Sequence, residues 1–412
     1  MSSTSESLPA APGGWSRDAR IIGLIAVAHF TSHIHIMMLP PIFGPVREAF
    51  NASYIEIGAA LTAFNVVSAL LQTPAGFLVD RVGARRVLTA GLILGGAACV
   101  LAALTSTYWL LLVAYALLGL ANTVYHPADY SILSAAIEPK RIGKAFSIHT
   151  FAGYFGSGVA PMIVLAAAAI WGWQGAFYVG AALALASALL LIVAGDVLPR
   201  APRAVAGEQP TESVSVGLDL LMSTPVLRNL FFFLCLAMAN GGLQTYAVVA
   251  LGALHGTPFE TANVALSGFL LFSAAGVLVG GIIADRTQRH ELVAAAGFAC
   301  TTVMVLLIGW VNLPGTVLIL AMSVGGLLNG IIQPSRDMMV RAVTPPGAFG
   351  KVFGFVSTGF NVGGMVGPLL YGWLMDRGEP RAIFALVIVF ILLGLVTAIT
   401  RPRPPGHPAW TR

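Results

Sequence analysis

Two pairs of ionisable side chains stand out in this sequence because each pair has helical spacing within a long apolar segment. His29 and His33 are four residues apart, and His126 and Asp129 are three residues apart, so the members of each pair would share one face of a helix. Pro127 lies within the second pair and should kink that helix. An imidazole changes its charge near neutral pH. The pairs therefore predict sites suited to proton transfer or to binding an acidic compound.

A guanidinium with a neighbouring carboxylate forms a third group. Arg336 and Asp337 directly follow the charge-free stretch 292–335, and an arginine in apolar surroundings needs a carboxylate partner. This group predicts either an ion pair or an anchor for an anion. Gln244 and Gln333 are further candidates for binding, although polar side chains also join helices to one another.

The composition shows what kind of element must carry these groups. Only 39 of the 412 residues (22 basic and 17 acidic) are charged, which is 9%, against about 25% in soluble domains. Hydrophobic residues make up 57%, and the mean hydropathy is +0.85. These values exclude a soluble enzyme, a disordered chain and a collagen-like chain. They predict a polytopic membrane protein, in which ionisable groups inside the membrane are functional candidates.

Stretches without Asp, Glu, Lys or Arg indicate the membrane-spanning helices. Nine such stretches have at least 19 residues, and a membrane helix needs roughly 20. Three of them, with 42, 51 and 44 residues, are long enough for two spans, and each has a polar, proline or tryptophan break near its middle. These breaks are Thr105-Ser106-Thr107, Trp171-Gly172-Trp173 and Asn312-Leu313-Pro314. The sequence thus predicts an all-α fold with twelve transmembrane helices, called spans 1 to 12 below.

The arrangement of charges predicts two bundles and their orientation. We expect a cytoplasmic tail 1–18, a six-helix bundle 19–195, a cytoplasmic linker 196–228, a second six-helix bundle 229–400 and a cytoplasmic tail 401–412. With both termini in the cytoplasm, 18 of the 22 Lys and Arg residues fall in cytoplasmic segments, as the positive-inside rule requires. We therefore expect a multi-pass protein of a bacterial-type inner (plasma) membrane. The net charge of +5 follows from these loops, so no nucleic acid partner is expected.

The two bundles repeat each other in sequence. Residues 127–161 align without a gap on residues 334–368 at an offset of 207, and nine of the 35 positions are identical. A second echo relates residues 76–88 to residues 281–293. Internal repeats with a solute site between them are typical of transporters.

The second echo contains a glycine- and arginine-rich motif that resembles the loop 2–3 motif of the major facilitator superfamily. Its first copy consists of Gly76, Asp80, Arg81, Gly83, Arg85 and Arg86, and its second of Gly281, Asp285, Arg286 and Arg289. The segments AHFTSHIHIMMLPPIFG in span 1 and YHPADYS in span 4 are similar to fosmidomycin-resistance-type members. The glycines and prolines of spans 5 and 11 partly resemble those of drug–proton antiporters.

This resemblance implies a fold, a cavity and a latch. The fold would consist of two pseudo-symmetric six-helix bundles, with spans 1, 4, 7 and 10 lining a central cavity. The loop motif, with Asp80 and its neighbouring arginines, would hold the two halves together on the cytoplasmic side and open during the transport cycle.

Two hypotheses follow for the charges inside the membrane. At the offset of 207, Asp129 aligns with Arg336, and pseudo-two-fold symmetry would place spans 4 and 10 opposite each other. In the first hypothesis, Asp129 and Arg336 form an inner gate when the cavity faces outwards. In the second, Arg336 anchors an anionic solute while Asp129 or Asp337 carries the proton.

The residues and the resemblance together predict a proton-coupled secondary active transporter, not an enzyme, that moves a small organic solute by alternating access. The first expected direction is export of a drug-like or toxic compound. Uptake of a small carboxylate anchored by Arg336 is the alternative. A transition-metal carrier using His29 and His33, or a membrane-embedded histidine-box enzyme, are further alternatives. No cofactor, metal or nucleotide-binding loop is expected, and the expected partners are the solute, protons and the lipid bilayer, with the monomer as the functional unit.

Overall fold

The structure is a computed structural model that describes residues 15–138, 141–198, 218–344 and 349–400. Within these ranges the chain forms helices joined by short turns, and no β-strand. The all-α fold class is therefore confirmed. The predicted tail 401–412, most of the tail 1–18 and the middle of the linker 196–228 lie outside the described residues.

The described residues form fifteen α-helices. They are α1 (Trp15–Ile36), α2 (Phe43–Ala49), α3 (Tyr54–Val82), α4 (Ala84–Leu104), α5 (Tyr108–Asn122), α6 (Tyr125–Ala136), α7 (Ile142–Ala194), α8 (Leu218–Leu221), α9 (Thr224–Gly241), α10 (Ala247–His255), α11 (Phe259–Arg286), α12 (His290–Trp310), α13 (Gly315–Ala342), α14 (Phe349–Asp376) and α15 (Pro380–Ile399). Short 3₁₀-helices at Pro40–Ile42 and Gly195–Val197 and a π-helical turn at Gly242–Tyr246 link some of them.

The predicted breaks coincide with interruptions of these helices. Ten segments of the described chain are long and apolar enough to cross a membrane. One of them, Ala145–Val197, is 53 residues long and has non-helical torsions at Trp171 and Gly172, so α7 consists of two helices. Gly172 has a φ of +70°, which glycine adopts without steric cost. The other two breaks lie between α4 and α5 and between α12 and α13.

The helix of span 4 is interrupted close to Pro127, where a kink is expected. The helix is interrupted at Thr123 and Val124, between α5 and α6. Pro127 has no backbone N–H to donate to the carbonyl of Thr123, four residues earlier, and its ring would clash with that carbonyl. The break therefore falls one turn before the proline and separates the segment carrying His126 and Asp129 from the rest of the span.

Local signals also set both ends of α3. Its N-terminus is a capping box, in which the Ser53 side chain accepts from the backbone N–H of Glu56 and the Glu56 carboxylate accepts from the backbone N–H of Ser53. Its C-terminus is Gly83, whose φ of +97° disfavours any residue with a Cβ. The loop motif therefore contains this glycine because the turn from α3 into α4 requires it.

The N-terminal half (residues up to 198) and the C-terminal half (residues from 218) form hydrogen bonds where α3 begins and α14 ends. The carboxylate of Asp376 accepts from the backbone N–H of Tyr54 at 2.7 Å and of Ile55 at 2.9 Å. About two turns further along α3, the hydroxyl of Thr62 donates to the carbonyl of Met365 at 2.9 Å. This end of the molecule is called the Asp376 end below.

The halves separate towards the opposite end, which is called the loop-motif end because Gly83 lies there. Near the Asp376 end, a Cβ added to Gly58 would lie 2.6 Å from the carbonyl oxygen of Pro368, so α3 and α14 are in close contact. Further along the same face of α3, Gln72 is exposed, and a Cβ added to Gly76 would meet no described atom within 4 Å. Within the described residues, the structure is thus closed at the Asp376 end and open at the loop-motif end.

Candidate functional site

Five ionisable side chains from three helices meet inside the N-terminal half. They are His29 and His33 on α1, His126 and Asp129 on α6, and His149 on α7, and they are called the His–Asp cluster below. The structure therefore brings the two pairs predicted from helical spacing into one group. His149, an ionisable residue within the apolar segment of span 5, joins them.

Asp129 is the centre of this cluster. Its side chain is fully buried, and its Oδ2 atom lies 3.0 Å from Nε2 of His149, at hydrogen-bonding distance. The same oxygen lies 3.5 Å from Nδ1 of His29, which is an ion-pair contact rather than a hydrogen bond. One carboxylate oxygen is thus shared by imidazoles from two different helices.

The imidazole rings pack against one another around this carboxylate. The ring of His29 stacks on that of His149 with centroids 3.7 Å apart and an interplanar angle of 23°. It also meets the rings of His33 at 4.7 Å and His126 at 5.1 Å, edge to face. His33 is held on its other side by Ser157, whose hydroxyl lies 2.8 Å from Nδ1. The cluster is therefore a continuous set of titratable groups.

A glycine of α7 provides the space for two of these rings. A Cβ added to Gly153 would lie 2.7 Å from Nε2 of His29 and 2.7 Å from Nε2 of His33, which is closer than non-bonded atoms approach. One turn further along α7, a Cβ added to Gly156 would lie 2.6 Å from the carbonyl oxygen of Phe30. Small residues in span 5 thus serve both helix packing and the placement of the histidines.

The chemistry of the cluster would allow it to hold a proton. A buried group of net charge is costly in an apolar interior, so a carboxylate among imidazoles is most stable when a proton offsets its charge. Across the 3.0 Å contact, that proton can lie on His149 or on Asp129. Within the described part of the chain, Oδ1 of Asp129 and Nδ1 of His149 have no hydrogen-bond partner, which leaves further positions for a proton.

The geometry of the cluster also allows a metal ion. The ligand atoms of His29, Asp129 and His149 lie within 4.8 Å of one another, and ligands about 2.0–2.2 Å from a tetrahedral zinc ion are about 3.3–3.6 Å apart. These three groups are the set that could hold a metal in the described residues, and His33 is not one of them.

A second polar group lies in the C-terminal half, on α13. Nε of Arg336 donates to Oδ1 of Asp337 at 2.8 Å, and its NH2 atom lies 2.7 Å from the same oxygen. NH1 donates to Oε1 of Gln333. The guanidinium carbon lies 4.7 Å from the ring centroid of Phe233 and 5.1 Å from that of Phe360. These five residues are called the Arg336 site below.

The predicted contact between Asp129 and Arg336 is not formed in this structure. Asp129 is enclosed by imidazoles of its own half, and Arg336 is paired with Asp337. The physical reason is the separation of the halves at the loop-motif end, together with partners that satisfy each charge locally. The inner gate, which was proposed for the outward-facing state, stays a prediction.

The loop motif contributes contacts within its own half. NH2 of Arg85 donates to the backbone carbonyls of Leu191 and Ile192, each at 3.0 Å, and so ties the start of α4 to the end of α7. Arg81 and Arg86 are exposed. In the second copy, Arg286 and Arg289 are exposed. The side chains of Asp80 and Asp285 lie outside the described part of the structure, so the latch stays a prediction.

Two further residues clarify what helical spacing could and could not predict. His35 is buried, and its Nε2 atom contacts the carbonyl of Gly180 at 3.1 Å, so it has a local structural partner outside the cluster. Gln244 lies in the π-helical turn Gly242–Tyr246, and none of the described contacts joins it to either polar group.

Comparison with known proteins agrees with this architecture. The sequence matches the family model described as Major Facilitator Superfamily over residues 25–259 and again over residues 230–411. It is 24% identical over 389 residues to the Fosmidomycin resistance protein of Escherichia coli (strain K12), which covers 92% of this chain and 91% of that protein. It is 25% identical over 384 residues to the Probable sulfoacetate transporter SauU of Cupriavidus necator, covering 87% of each.

Solved structures share the fold. A bacterial homolog of the human lysosomal transporter Spinster, inward-facing and unoccupied, has a TM-score of 0.77 at 14% identity and covers 95% of this chain and 97% of that chain. A mutant of the nucleoside transporter NupG has a TM-score of 0.74 at 16% identity, with 92% and 98% covered. Because the family model covers nearly the whole sequence, and because the loop motif and the fold agree with it, the chain belongs to the major facilitator superfamily.

Proposed function

We propose that this protein, a solute transporter by family and fold, is a proton-coupled antiporter that exports a small drug-like or toxic organic compound by alternating access. The His–Asp cluster is the observation that carries the coupling, because it places a fully buried carboxylate between imidazoles. A carrier site must bind and release its proton within the working pH range, and imidazole is the side chain suited to that. The similarity to a protein named for fosmidomycin resistance supports export.

His126 is the residue that would connect the buried carboxylate to the cavity. His126 is an exposed residue, and its ring lies 5.1 Å from that of His29 and 6.3 Å from that of His149. Tyr130 stacks on His126 with ring centroids 6.0 Å apart. Since the molecule is open at the loop-motif end, a proton would leave or reach Asp129 from that side through His126.

The proposed cycle has both termini and the loop motif in the cytoplasm. In the state described, the cavity would face the cytoplasm, take up solute and release the proton. Closure of the loop-motif end, with Asp80 and its neighbouring arginines acting as the latch, would accompany opening of the Asp376 end to the outside. We further propose that the protein works as a monomer in a bacterial inner membrane.

Gradient-driven flux tests the coupling. Purified protein in liposomes is given radiolabelled fosmidomycin, and accumulation is measured with the liposome lumen acidic or alkaline relative to the outside. We expect accumulation driven by an acidic lumen, and we expect Asp129→Asn to reduce it to the level of empty liposomes. His35→Gln is the matched control, because it removes a buried histidine outside the cluster. Flux in Asp129→Asn that still follows the pH gradient would falsify the assignment.

Uptake of a small organic anion is the second candidate, and the Arg336 site favours it. Arg336 carries a permanent charge on a side chain that is 11% exposed, and similar proteins include the Probable sulfoacetate transporter SauU and Probable anion transporter 6. The same liposomes with labelled sulfoacetate separate the two candidates. Symport would be driven by an acidic exterior, whereas antiport would be driven by an acidic lumen.

A further inference from the structure

We propose that Asp337 is an internal counter-anion, which the oxyanion of the solute displaces from Arg336. The solute would then be a small organic acid with a carboxylate, sulfonate or phosphonate group, and the Arg336 site would be its anchoring subsite. This inference rests on the proposed function only in that the solute enters the cavity between the two halves. It holds for either direction of transport.

The first argument is the number of hydrogen-bond donors on Arg336. A guanidinium has five N–H groups. The N–H of Nε donates to Oδ1 of Asp337, and NH2 contacts that same oxygen. One N–H of NH1 donates to Gln333. At least two N–H groups therefore have no acceptor among the described residues. A solute oxyanion supplies the acceptors that these groups lack.

The second argument is the geometry of the present partner. Neighbouring residues of a helix do not face each other, so Arg336 must fold back along α13 to reach Asp337. Both of its contacts end on the single oxygen Oδ1, whereas an unconstrained oxyanion can accept two parallel hydrogen bonds through two oxygens. The side chain of Asp337 is 44% exposed, so after displacement it would remain hydrated. A bound oxyanion therefore replaces a poorer contact with a better one.

The third argument concerns selectivity. Phe233 and Phe360 lie against the guanidinium, with their own ring centroids 4.8 Å apart. These rings exclude water from that face, which strengthens the interaction of Arg336 with an anion, and they stabilise the cation while the carboxylate is exchanged. A neutral solute leaves the Arg336–Asp337 pair intact and gains nothing from it. The site thus distinguishes anions from neutral compounds of the same shape.

The N-terminal half offers an aromatic surface for the rest of the solute. Tyr130 on α6 is 41% exposed, and its ring stacks on that of His126 with centroids 6.0 Å apart. The organic part of the solute would contact Tyr130 while its oxyanion binds Arg336.

A matched pair of probes tests the proposal by equilibrium binding to the purified full-length protein in nanodiscs, with no pH gradient. Benzenesulfonate and benzenesulfonamide have similar shapes and differ in charge. We expect Asp337→Asn to bind benzenesulfonate about tenfold more tightly than wild type, because the internal competitor loses its charge. Its affinity for benzenesulfonamide should not change. Arg336→Gln should lose saturable sulfonate binding. Arg336→Lys should retain weakened binding, because lysine keeps the positive charge but cannot donate two parallel hydrogen bonds to one oxyanion.

Arg377→Gln is the matched control, since Arg377 also lies over an aromatic ring, 4.2 Å from the centroid of Trp373, but outside the cavity. The proposal is overturned if Asp337→Asn binds benzenesulfonate no more tightly than wild type does, or if its affinity for benzenesulfonamide rises by the same factor. It is also overturned if Arg336→Gln still binds benzenesulfonate, or if neither wild type nor Asp337→Asn binds it. Thermal unfolding of each variant verifies that it is folded. Because no gradient is used, failure here is distinct from failure of proton coupling.

Discussion

The His–Asp cluster and the Arg336 site lie at equivalent places in the two halves, and their chemistry is opposite. Asp129 and Arg336 occupy matching positions of the internal repeat. In the N-terminal half the charged group is a fully buried carboxylate surrounded by side chains that can change their charge. In the C-terminal half it is a guanidinium whose charge is permanent, with a partly exposed partner and spare donors.

This difference shows that the repeat preserves the position of a polar group while leaving its role free to diverge. A half whose groups titrate is suited to exchange a proton with the solvent. A half with a fixed positive charge is suited to hold an anion. We infer that the two halves divide the work of coupled transport between them, and the following experiments test this division.

Exchanging the two charges should have the largest effect. The double variant Asp129→Arg with Arg336→Asp would bury a guanidinium among four histidines and place a second carboxylate beside Asp337. Leaving a buried charge without its partner costs about 3–5 kcal/mol, so we expect lower thermal stability and no flux above background in liposomes. If the double variant transports better than either single variant, the two residues pair in another state, and the inner gate is supported over the division of roles.

Adding one methyl group to the N-terminal half should have an intermediate effect. In Gly153→Ala the new Cβ would fall 2.7 Å from Nε2 of both His29 and His33, so one ring must move. Overpacking of this kind costs about 1–3 kcal/mol, measured as a lower midpoint of thermal unfolding together with reduced gradient-driven flux.

Gly23→Ala is the control for that experiment, because it lies on the same helix as His29 and an added Cβ there meets no described atom within 4 Å. Its stability should stay equal or rise slightly, since alanine favours helix over glycine. Binding of benzenesulfonate should be unchanged in both variants. A loss of anion binding in Gly153→Ala would show that the two sites do not act separately.

Removing the charge of Asp376 should have the smallest effect. Asp376→Asn weakens two hydrogen bonds to the N-terminus of α3, each worth about 0.5–1.5 kcal/mol as an ordinary hydrogen bond. We expect a partial shift towards opening at the Asp376 end without loss of either polar site. Spin labels at Asn51 and Gly378, in a background with Cys300→Ser, should report longer distances. The exposed neighbour Glu379→Gln should report none, and equal distances in both variants would contradict the expectation.

Helical periodicity predicted the parts of the site that depend on one helix. The pairing of His29 with His33 and of His126 with Asp129 needs only the rise and turn of an α-helix, and both pairs are found on shared faces. The three span breaks were equally local, because they depend on residues such as Gly172 and Pro314 that interrupt a helix by themselves.

What depends on contact between helices was not predictable in the same way. His149 joins Asp129 only because α7 packs against α1 and α6, and one histidine in a long apolar stretch gives no sign of its neighbour. The repeat aligned Asp129 with Arg336 in sequence, but symmetry relates positions without bringing them into contact. Phe233 and Phe360 carried no signal at all, since phenylalanine is unremarkable in a chain of which 57% is hydrophobic.

The hydrogen bonds of Asp376 have a consequence for mutagenesis and for reading related sequences. Their donors are main-chain N–H groups of Tyr54 and Ile55, which every residue except proline provides. Replacing either side chain would therefore leave these two bonds in place, and the bonds themselves do not require a particular residue at either position. On the α3 side, only a change to proline, Tyr54→Pro or Ile55→Pro, would remove a donor, so these two bonds depend on a single side chain, that of Asp376 in the opposite half.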